Sequence, residues 1–178
     1  LRAIAAKPDY PEANNNLGNI YNSKGEVAAA RGCFEKALAV RPNYPDALLN
    51  LAKILIVEGA LTKASRVLTR LLKLEPNNFK AWNELGKAYR ELNKNAEAAA
   101  IFKKSLNIDS NNTRTLQLLA GTLHSLGNID PALKCLEKAL QLKPESSKNH
   151  QDYCSILEQT HRKEKYRFAV SAARKHCS

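Results

Sequence analysis

The chain has 178 residues, of which 44% are hydrophobic and 25% charged, a balance typical of a soluble globular protein. It contains no run of about 18 apolar residues, so the sequence predicts no membrane-spanning helix. The formal net charge of +11 favours acidic partners, nucleic acid or an anionic membrane surface, without choosing among them.

A period of 34 residues organises the chain from Pro11 to Ser146 without insertion or deletion. Small and apolar residues return at this spacing, which is the signature of a stack of identical supersecondary units. Four of the columns are Leu17, Leu51, Leu85 and Leu119; Gly18, Ala52, Gly86 and Ala120; Ala30, Ala64, Ala98 and Ala132; and Phe34, Leu68, Phe102 and Leu136.

Each period contains two amphipathic helices. Leu17 and Tyr21 are four residues apart and share one helix face, and Ala30 and Phe34 do the same on a second helix. Glycines separate the two helices, and prolines end the second one, at Gly25, Gly59 and Gly127 and at Pro42, Pro76 and Pro144. Pro11 and Pro45 suit the first turn of a helix, and Asp130–Pro131 predicts an N-cap followed by the first helical residue.

In chain order, residues 1–10 match the end of a preceding repeat, so we expect the parent protein to continue upstream. Four complete repeats follow, at 11–44, 45–78, 79–112 and 113–146, with loops near residues 25, 43, 59, 77, 93, 111 and 127. Residues 147–178 form a degenerate fifth repeat, in which Tyr166 and Val170 replace the expected Ala and Phe. Its charged second helix is typical of the polar cap that ends a repeat array.

This pattern resembles the tetratricopeptide repeat family. The family's residues stand at its spacing in Leu17–Gly18–x–x–Tyr21, Gly25, Ala30, Phe34, Ala37 and Pro42, and again in Trp82, Leu85, Gly86, Tyr89, Ala98 and Phe102. The resemblance implies an all-α fold, a right-handed solenoid of helix-turn-helix hairpins. It also implies that the first helix of each hairpin lines a concave groove, in which a peptide or a segment of a partner protein binds.

The same resemblance places one polar stripe per repeat in that groove. The first repeat contributes amides, the second apolar groups beside a lysine, and the third and fourth mainly basic groups. The predicted partner-binding residues are Asn15, Asn16, Asn19, Asn22, Leu49, Asn50, Lys53, Ile56, Lys80, Asn83, Lys87, Arg90, Arg114, Gln117 and His124.

Asn16 and Asn50 occupy one column and resemble the asparagine ladder in the repeats of O-linked N-acetylglucosamine transferases. An amide can pair with a peptide group without reading its side chain, so we expect both to hold a ligand backbone. The alternative is that each asparagine bonds a neighbouring helix. Leu49 and Ile56 are expected to receive an apolar side chain, whereas Val57 is expected to be an ordinary interhelix contact.

Lys80, Lys87, Arg90 and Arg114 are expected to attract acidic groups, and the alternative is a solvated surface paired with Glu84 and Glu91.

His150 and Cys154 are four residues apart, but they occupy the packing columns of Trp82 and Gly86. Two ligands do not make a metal site, so no metal is predicted. The sequence contains no phosphate-binding loop, GxSxG or HExxH motif, and we expect neither a cofactor nor an enzyme. Four cysteines without a CxxC pair indicate reduced thiols and favour a cytoplasmic location.

The sequence therefore predicts a non-catalytic scaffold for a protein partner that carries acidic residues and an apolar anchor. Nucleic-acid binding through the basic surface and a substrate-recognition arm of a larger glycosyltransferase-like enzyme are the alternatives. Leu1 and Ile4 lie on a helix without its partner, which predicts self-association through that edge.

Overall fold

A computed structural model describes residues 10–160 and 169–170, and this part of the chain contains helices and turns but no strand. The all-α class is confirmed. The helices described between residues 10 and 160 are α1 (Pro11–Ser23), α2 (Val27–Val40), α3 (Pro45–Val57), α4 (Leu61–Leu74), α5 (Phe79–Glu91), α6 (Asn95–Ile108), α7 (Thr113–Ser125), α8 (Ile129–Leu142) and α9 (Ser147–Gln159). Odd-numbered helices, the first of each hairpin, are called A helices, and even-numbered ones B helices.

Some predictions lie outside the described residues. They include the edge formed by Leu1 and Ile4 and the replacement at Tyr166. Val170 is described as helical and half-buried.

The turn between the two helices of a hairpin uses left-handed backbone geometry. Gly25, Gly59 and Gly127 have φ of 77°, 74° and 76°, a conformation that glycine adopts without steric cost. The glycines therefore end the A helices as predicted. Asn93 occupies the same column with φ of 60°, and asparagine is one of the few other residues that tolerate this region.

The A helices begin in two ways. Pro11 and Pro45 are the first residues of α1 and α3, where the missing N–H would have had no helical partner. Asn78 and Asn112 instead accept a hydrogen bond from the backbone three residues ahead, each at 3.0 Å. Ser146 caps α9 in the same way at 3.4 Å.

The predicted start of the last complete B helix was wrong by two residues. Helix α8 begins at Ile129 with Asn128 before it, so Asp130 lies inside the first turn and is not the N-cap. The physical reason is that the first four N–H groups of a helix have no internal partner, so Pro131 is accommodated as its third residue. The B helices that precede Pro42, Pro76 and Pro144 end as predicted, two residues before the proline.

The chain divides into two compact units, Leu1–Leu92 and Asn93–Ser178. In the first unit, α1 packs on α2 and α3 packs on α4 and α5. Its core includes Ala30, Phe34, Leu51, Ile54 and Leu55, all buried. The A helices contact one another in order, α1 with α3 and α3 with α5. Equivalent side chains of successive repeats therefore lie close together.

Helices α1 and α2 approach closely at Gly18. A Cβ atom built on Gly18 would lie 2.5 Å from Cε1 of Phe34, whose side chain is fully buried. That separation is well inside the 3.5–4.0 Å at which carbon atoms normally meet. The aromatic ring of Phe34 therefore requires glycine at this point of the hairpin.

In the second unit, α7 packs against α6 and α8, and α9 packs against α8. Leu116, Leu119, Leu136 and Leu157 are buried. Tyr153 takes the place of the repeated leucine on α9, and its hydroxyl donates to Oε1 of Glu137 at 2.7 Å. This bond satisfies a polar group that the leucine column does not otherwise contain.

Candidate functional site

Three predicted asparagines meet on the A helices of the first unit. Nδ2 of Asn50 on α3 donates to Oδ1 of Asn15 at 3.1 Å and to Oδ1 of Asn19 at 3.0 Å, both on α1. Asn15 is buried, Asn50 is half-buried and Asn19 is exposed. We call Asn15, Asn19 and Asn50 the amide cluster.

The cluster leaves a complementary pair of polar atoms unused. Both amide hydrogens of Asn50 are donated within the cluster, so its Oδ1 remains as an acceptor. Nδ2 of the exposed Asn19 makes no hydrogen bond with any described residue and remains as a donor. A peptide group presents one N–H and one C=O, so these two atoms match it chemically.

Asn16, which the sequence paired with Asn50, is not part of the cluster. Its side chain is exposed and makes no hydrogen bond with another described residue. Asn50, in the same column, donates instead to Asn15 and Asn19 of the preceding A helix. The asparagine column therefore provides one cluster here, and its resemblance to the glycosyltransferase ladder stays a prediction.

The apolar residues of α3 named in the sequence analysis differ in exposure. Leu49 is buried, and Ile56 is half-buried and packs against the core that contains Leu55. Val57, expected to be an interhelix contact, is 72% exposed and is the most exposed large apolar side chain among the described residues. Residue type alone could not predict which of Ile56 and Val57 is exposed, because both are β-branched residues at the end of one helix.

The basic residues of the first unit divide into paired and unpaired groups. Nζ of Lys87 lies 2.8 Å from Oε1 of Glu84, one turn earlier on α5, so this pair follows the solvated alternative. Lys53 and Lys80 are exposed, and no described carboxylate lies within ion-pair distance of either. Arg90 is half-buried.

The remaining predicted residues of the first unit differ in accessibility. Asn22 is exposed near the end of α1. Asn83 is buried, with an interaction of its own. Neither belongs to the amide cluster.

The second unit contains a related polar link between its A helices. Nε2 of Gln117 on α7 donates to Oδ2 of Asp152 on α9 at 2.9 Å, with the same 35-residue separation as Asn15 and Asn50. Arg114 donates to Oε1 of Gln117 at 2.9 Å, and Lys148 lies 2.8 Å from Oδ1 of Asp152. His124 is half-buried. The sequence analysis did not select Asp152, although this residue lies in the same column of the 34-residue period as Asn50.

Charged residues also hold the end of the first hairpin. Nη1 of Arg41 lies 2.6 Å from Oε1 of Glu12, and its guanidinium lies 5.2 Å from the centre of the Tyr44 ring. A hydrogen bond from its own backbone N–H, followed by the bond from Arg41, lowers the pKa of Glu12 against the opposing effect of desolvation. Glu12, which lies one turn before Asn15 on α1, is therefore engaged within its own repeat.

His150 makes a hydrogen bond like that of the tryptophan in its column. Nε1 of Trp82 donates to the carbonyl of Pro76 at 2.8 Å. Nε2 of His150, in the same column, lies 2.7 Å from the carbonyl of Pro144, and the ring nitrogen must donate because the carbonyl only accepts. No group of three potential metal ligands occurs in the part of the chain that the structure describes.

The described cysteines are free thiols. Burial is the largest effect on Cys33, Cys135 and Cys154, and it raises the pKa of each thiol. Such thiols are poor nucleophiles at neutral pH, since the thiolate is the reactive form. Across residues 10–160 and 169–170, the structure contains no helix long and apolar enough to span a membrane.

Comparison with protein families identifies the repeats. The model of the cytochrome c-type biogenesis protein H TPR domain matches residues 2–115, which is more than half of the chain. A second tetratricopeptide repeat model matches residues 89–151. No curated protein has a significantly similar sequence.

Several solved structures share the fold. A crystal structure of the MamA protein superposes with a TM-score of 0.81 at 20% identity, covering 93% of this chain and 91% of that one. YrrB, described as a TPR protein with an unusual peptide-binding site, gives 0.75 at 17% identity, covering 99% and 91%. TTC0263, a thermophilic TPR protein of Thermus thermophilus, gives 0.76 at 20% identity, covering 94% and 92%. The family models and these folds agree, and the chain belongs to the tetratricopeptide repeat family.

Proposed function

We propose that the chain is a non-catalytic protein-interaction scaffold whose first unit binds an extended peptide segment across the A helices α1 and α3. Membership of the tetratricopeptide repeat family supports the scaffold role. The observation that carries the peptide site is the amide cluster, because it fixes a polar side chain between two A helices and leaves an acceptor and a donor unused.

The cluster favours binding of the ligand backbone. Oδ1 of Asn50 accepts a peptide N–H, and Nδ2 of Asn19 donates to a peptide carbonyl. Because Asn15 and Asn19 both hold the Asn50 amide, its orientation is set before the ligand arrives. A fixed side chain loses less conformational freedom on binding, which strengthens the interaction without adding a contact.

Charge near the cluster selects the ligand. Lys53 lies one turn beyond Asn50 on α3, and Lys80 lies at the start of the neighbouring A helix α5. Both are exposed, so they attract acidic residues of the peptide and increase the association rate. Lys87 contributes less, because Glu84 already neutralises it.

An apolar ligand residue contacts Val57 rather than Leu49. Val57 is 72% exposed, whereas Leu49 is 9% exposed and already has its neighbours within the unit. Val57 follows Lys53 by one helical turn, so one ligand can reach an apolar and a basic group on α3.

The second unit is a weaker candidate for the same role. Asp152 replaces the asparagine, and Gln117 and Lys148 bond its two oxygens. A carboxylate offers no donor and repels the acidic groups expected of the ligand.

Among the similar folds, YrrB is described as having a peptide-binding site, which agrees with the class of ligand proposed here. We assign the chain no reaction or cofactor, and the free thiols support a cytoplasmic location.

Selection from a random peptide library tests the proposal. The full chain is immobilised, displayed peptides are selected on it, and the strongest peptide is synthesised with a fluorescent label. Its dissociation constant is then measured by fluorescence anisotropy for the wild type and for Asn50→Ala. We expect Asn50→Ala to weaken binding about fivefold, the effect of losing one net hydrogen bond.

Asn107→Ala is the matched control, because Asn107 is an exposed asparagine on a B helix. We expect it to bind the peptide as the wild type does. Helicity by circular dichroism checks that both variants fold. Equal affinity of the wild type and Asn50→Ala for every selected peptide would contradict the proposed site.

A further inference from the structure

A second surface of the first unit lies between its B helices. A cleft lined by residues of α2, α3 and α4 opens on this surface. Leu51 and Leu55 of α3 form its floor, and Val67 of α4 extends this apolar surface. The cleft involves none of the residues of the amide cluster.

Exposed cations run along helix α4. Lys63 and Arg66 line the cleft, and Arg70 and Lys73 continue the row beyond it. Lys63, Arg66, Arg70 and Lys73 are all exposed, and their spacing of three, four and three residues places them on one stripe of the helix. Helix α4 contains no carboxylate, whereas α2, α6 and α8 each contain at least one. No ion pair engages these four cations among the residues that the structure describes.

The α2 side is electrically balanced. Nη1 of Arg31 lies 3.0 Å from Oε2 of Glu58, and its Nε lies 3.7 Å from Oε1 of Glu35. Arg70 of α4 is bonded to the neutral side chain of Asn43 at 3.0 Å, which positions the guanidinium without neutralising it. The cleft therefore presents a charge difference across an apolar floor.

We propose that this cleft and the α4 stripe form a second docking surface, for an acidic amphipathic helix of a partner protein. Carboxylates on such a helix recur at spacings of three and four residues, which matches the α4 cations one to one. Its apolar residues enter the cleft over Leu51, Leu55 and Val67. Helix-in-groove recognition of this kind combines apolar anchors with charges along the rim.

A protein helix fits these observations better than nucleic acid does. A phosphate backbone would use the cations but not the apolar floor. Two hydroxyls beside the stripe are also committed as donors, since Ser65 donates to the carbonyl of Leu61 and Thr69 to that of Ser65. They are therefore not available to donate to phosphate oxygens.

A designed peptide tests the proposal with the full chain. The probe is a labelled Ala-rich helix of about 16 residues, a length at which such peptides begin to be helical in water. It carries four Glu at the spacing of the α4 cations and Leu beside them, and a second peptide has Ser in place of Leu. We expect the Leu peptide to bind several times more tightly than the Ser peptide in fluorescence anisotropy.

Two double variants with the same change in net charge locate the site. Lys63→Glu with Arg66→Glu reverses the rim of the cleft, and we expect it to weaken binding of the Leu peptide on the order of tenfold. Lys134→Glu with Lys143→Glu reverses two exposed lysines of the second unit, one on helix α8 and one just after it, and we expect a much smaller loss. Circular dichroism confirms that both variants are folded.

Three results would overturn the proposal. One is equal binding of the Leu and Ser peptides, and another is an equal loss from the two double variants. The third is displacement of the Leu peptide by a short RNA or DNA duplex that binds the chain more tightly, which would assign the stripe to nucleic acid. Because the cleft and the amide cluster share no residue, failure here leaves the peptide site of α1 and α3 untouched.

Discussion

The contact between Gly18 and Phe34 allows a quantitative test of how the first hairpin packs. In Gly18→Ala, the new Cβ would lie 2.5–2.9 Å from three atoms of the Phe34 ring, which is itself buried. Helices α1 and α2 must separate, or the ring must leave its preferred position. Overpacking of a core by one carbon costs about 1–3 kcal/mol. The gain in helix propensity from glycine to alanine offsets about 1 kcal/mol of that cost.

We therefore expect Gly18→Ala to lower the free energy of unfolding by up to about 2 kcal/mol. The next repeat indicates the compensating change, because it has Ala52 and Leu68 in the same two columns, both fully buried. In a Phe34→Leu background, the ring is gone, and Gly18→Ala should be neutral or stabilising. The double-mutant cycle should give a coupling energy of about 2 kcal/mol.

The assay is equilibrium unfolding of the full chain in urea, monitored by circular dichroism. It is applied to the wild type, both single variants and the double variant. Gly121→Ala is the control, since Gly121 lies inside helix α7 and an added Cβ would meet no atom within 4 Å. Helix propensity alone predicts that this control gains up to about 1 kcal/mol. If Gly18→Ala stabilises the chain as much as Gly121→Ala does, the packing argument is wrong.

Three further predictions concern backbone conformation, pH and thiol reactivity. Asn93→Gly should raise the thermal midpoint slightly, because Asn93 has φ of 60°, and an unchanged or lower midpoint would show that this conformation is not strained. Glu12→Gln should lower stability at neutral pH, and the deficit should shrink as pH falls below the ordinary carboxyl value of 4.5. The pKa of Glu12 is lower in the folded chain than in the unfolded chain. Its contribution to the free energy of unfolding is therefore present above the ordinary value of 4.5 and is lost as pH falls through the lower, folded-state pKa. A stability deficit that does not change with pH would exclude this linkage. Burial raises the pKa of the Cys135 thiol, so mass spectrometry should find slow alkylation at about pH 8 that accelerates in urea, and equal rates in both would contradict its burial.

The sequence predicted the fold because each structural requirement recurs every 34 residues. The left-handed turns favour glycine at Gly25, Gly59 and Gly127, and α2, α4 and α8 each end two residues before a proline, so both boundaries are visible in the residue types. Asn93 shows that the period itself carries information, since its turn was located without a glycine. The start of helix α8 shows where this reasoning fails. Proline is tolerated throughout the first turn of a helix, so Pro131 could not show that the helix begins at Ile129 and that Asp130 is not its N-cap.

The site was less predictable, because the period identifies a column but not the partner of each side chain. Asn50 was identified as a candidate, yet only the structure shows that it reaches back to Asn15 and Asn19 rather than acting with Asn16. Exposure at a helix end depends on the last turn's orientation, which left Ile56 and Val57 indistinguishable. The α2/α4 cleft was also hidden, since its lining comes from three helices.

Nuclear magnetic resonance of the asparagine side chains tests the central claim, peptide binding at the amide cluster, most directly. In the free chain, the Nδ2 protons of Asn50 should exchange slowly with solvent, because both are hydrogen-bonded. On titration with a peptide selected on the full chain, the side-chain signals of Asn19 and Asn50 should shift together and saturate at the dissociation constant measured by anisotropy. Saturating peptide that shifts other residues and leaves these two signals unchanged would contradict the account.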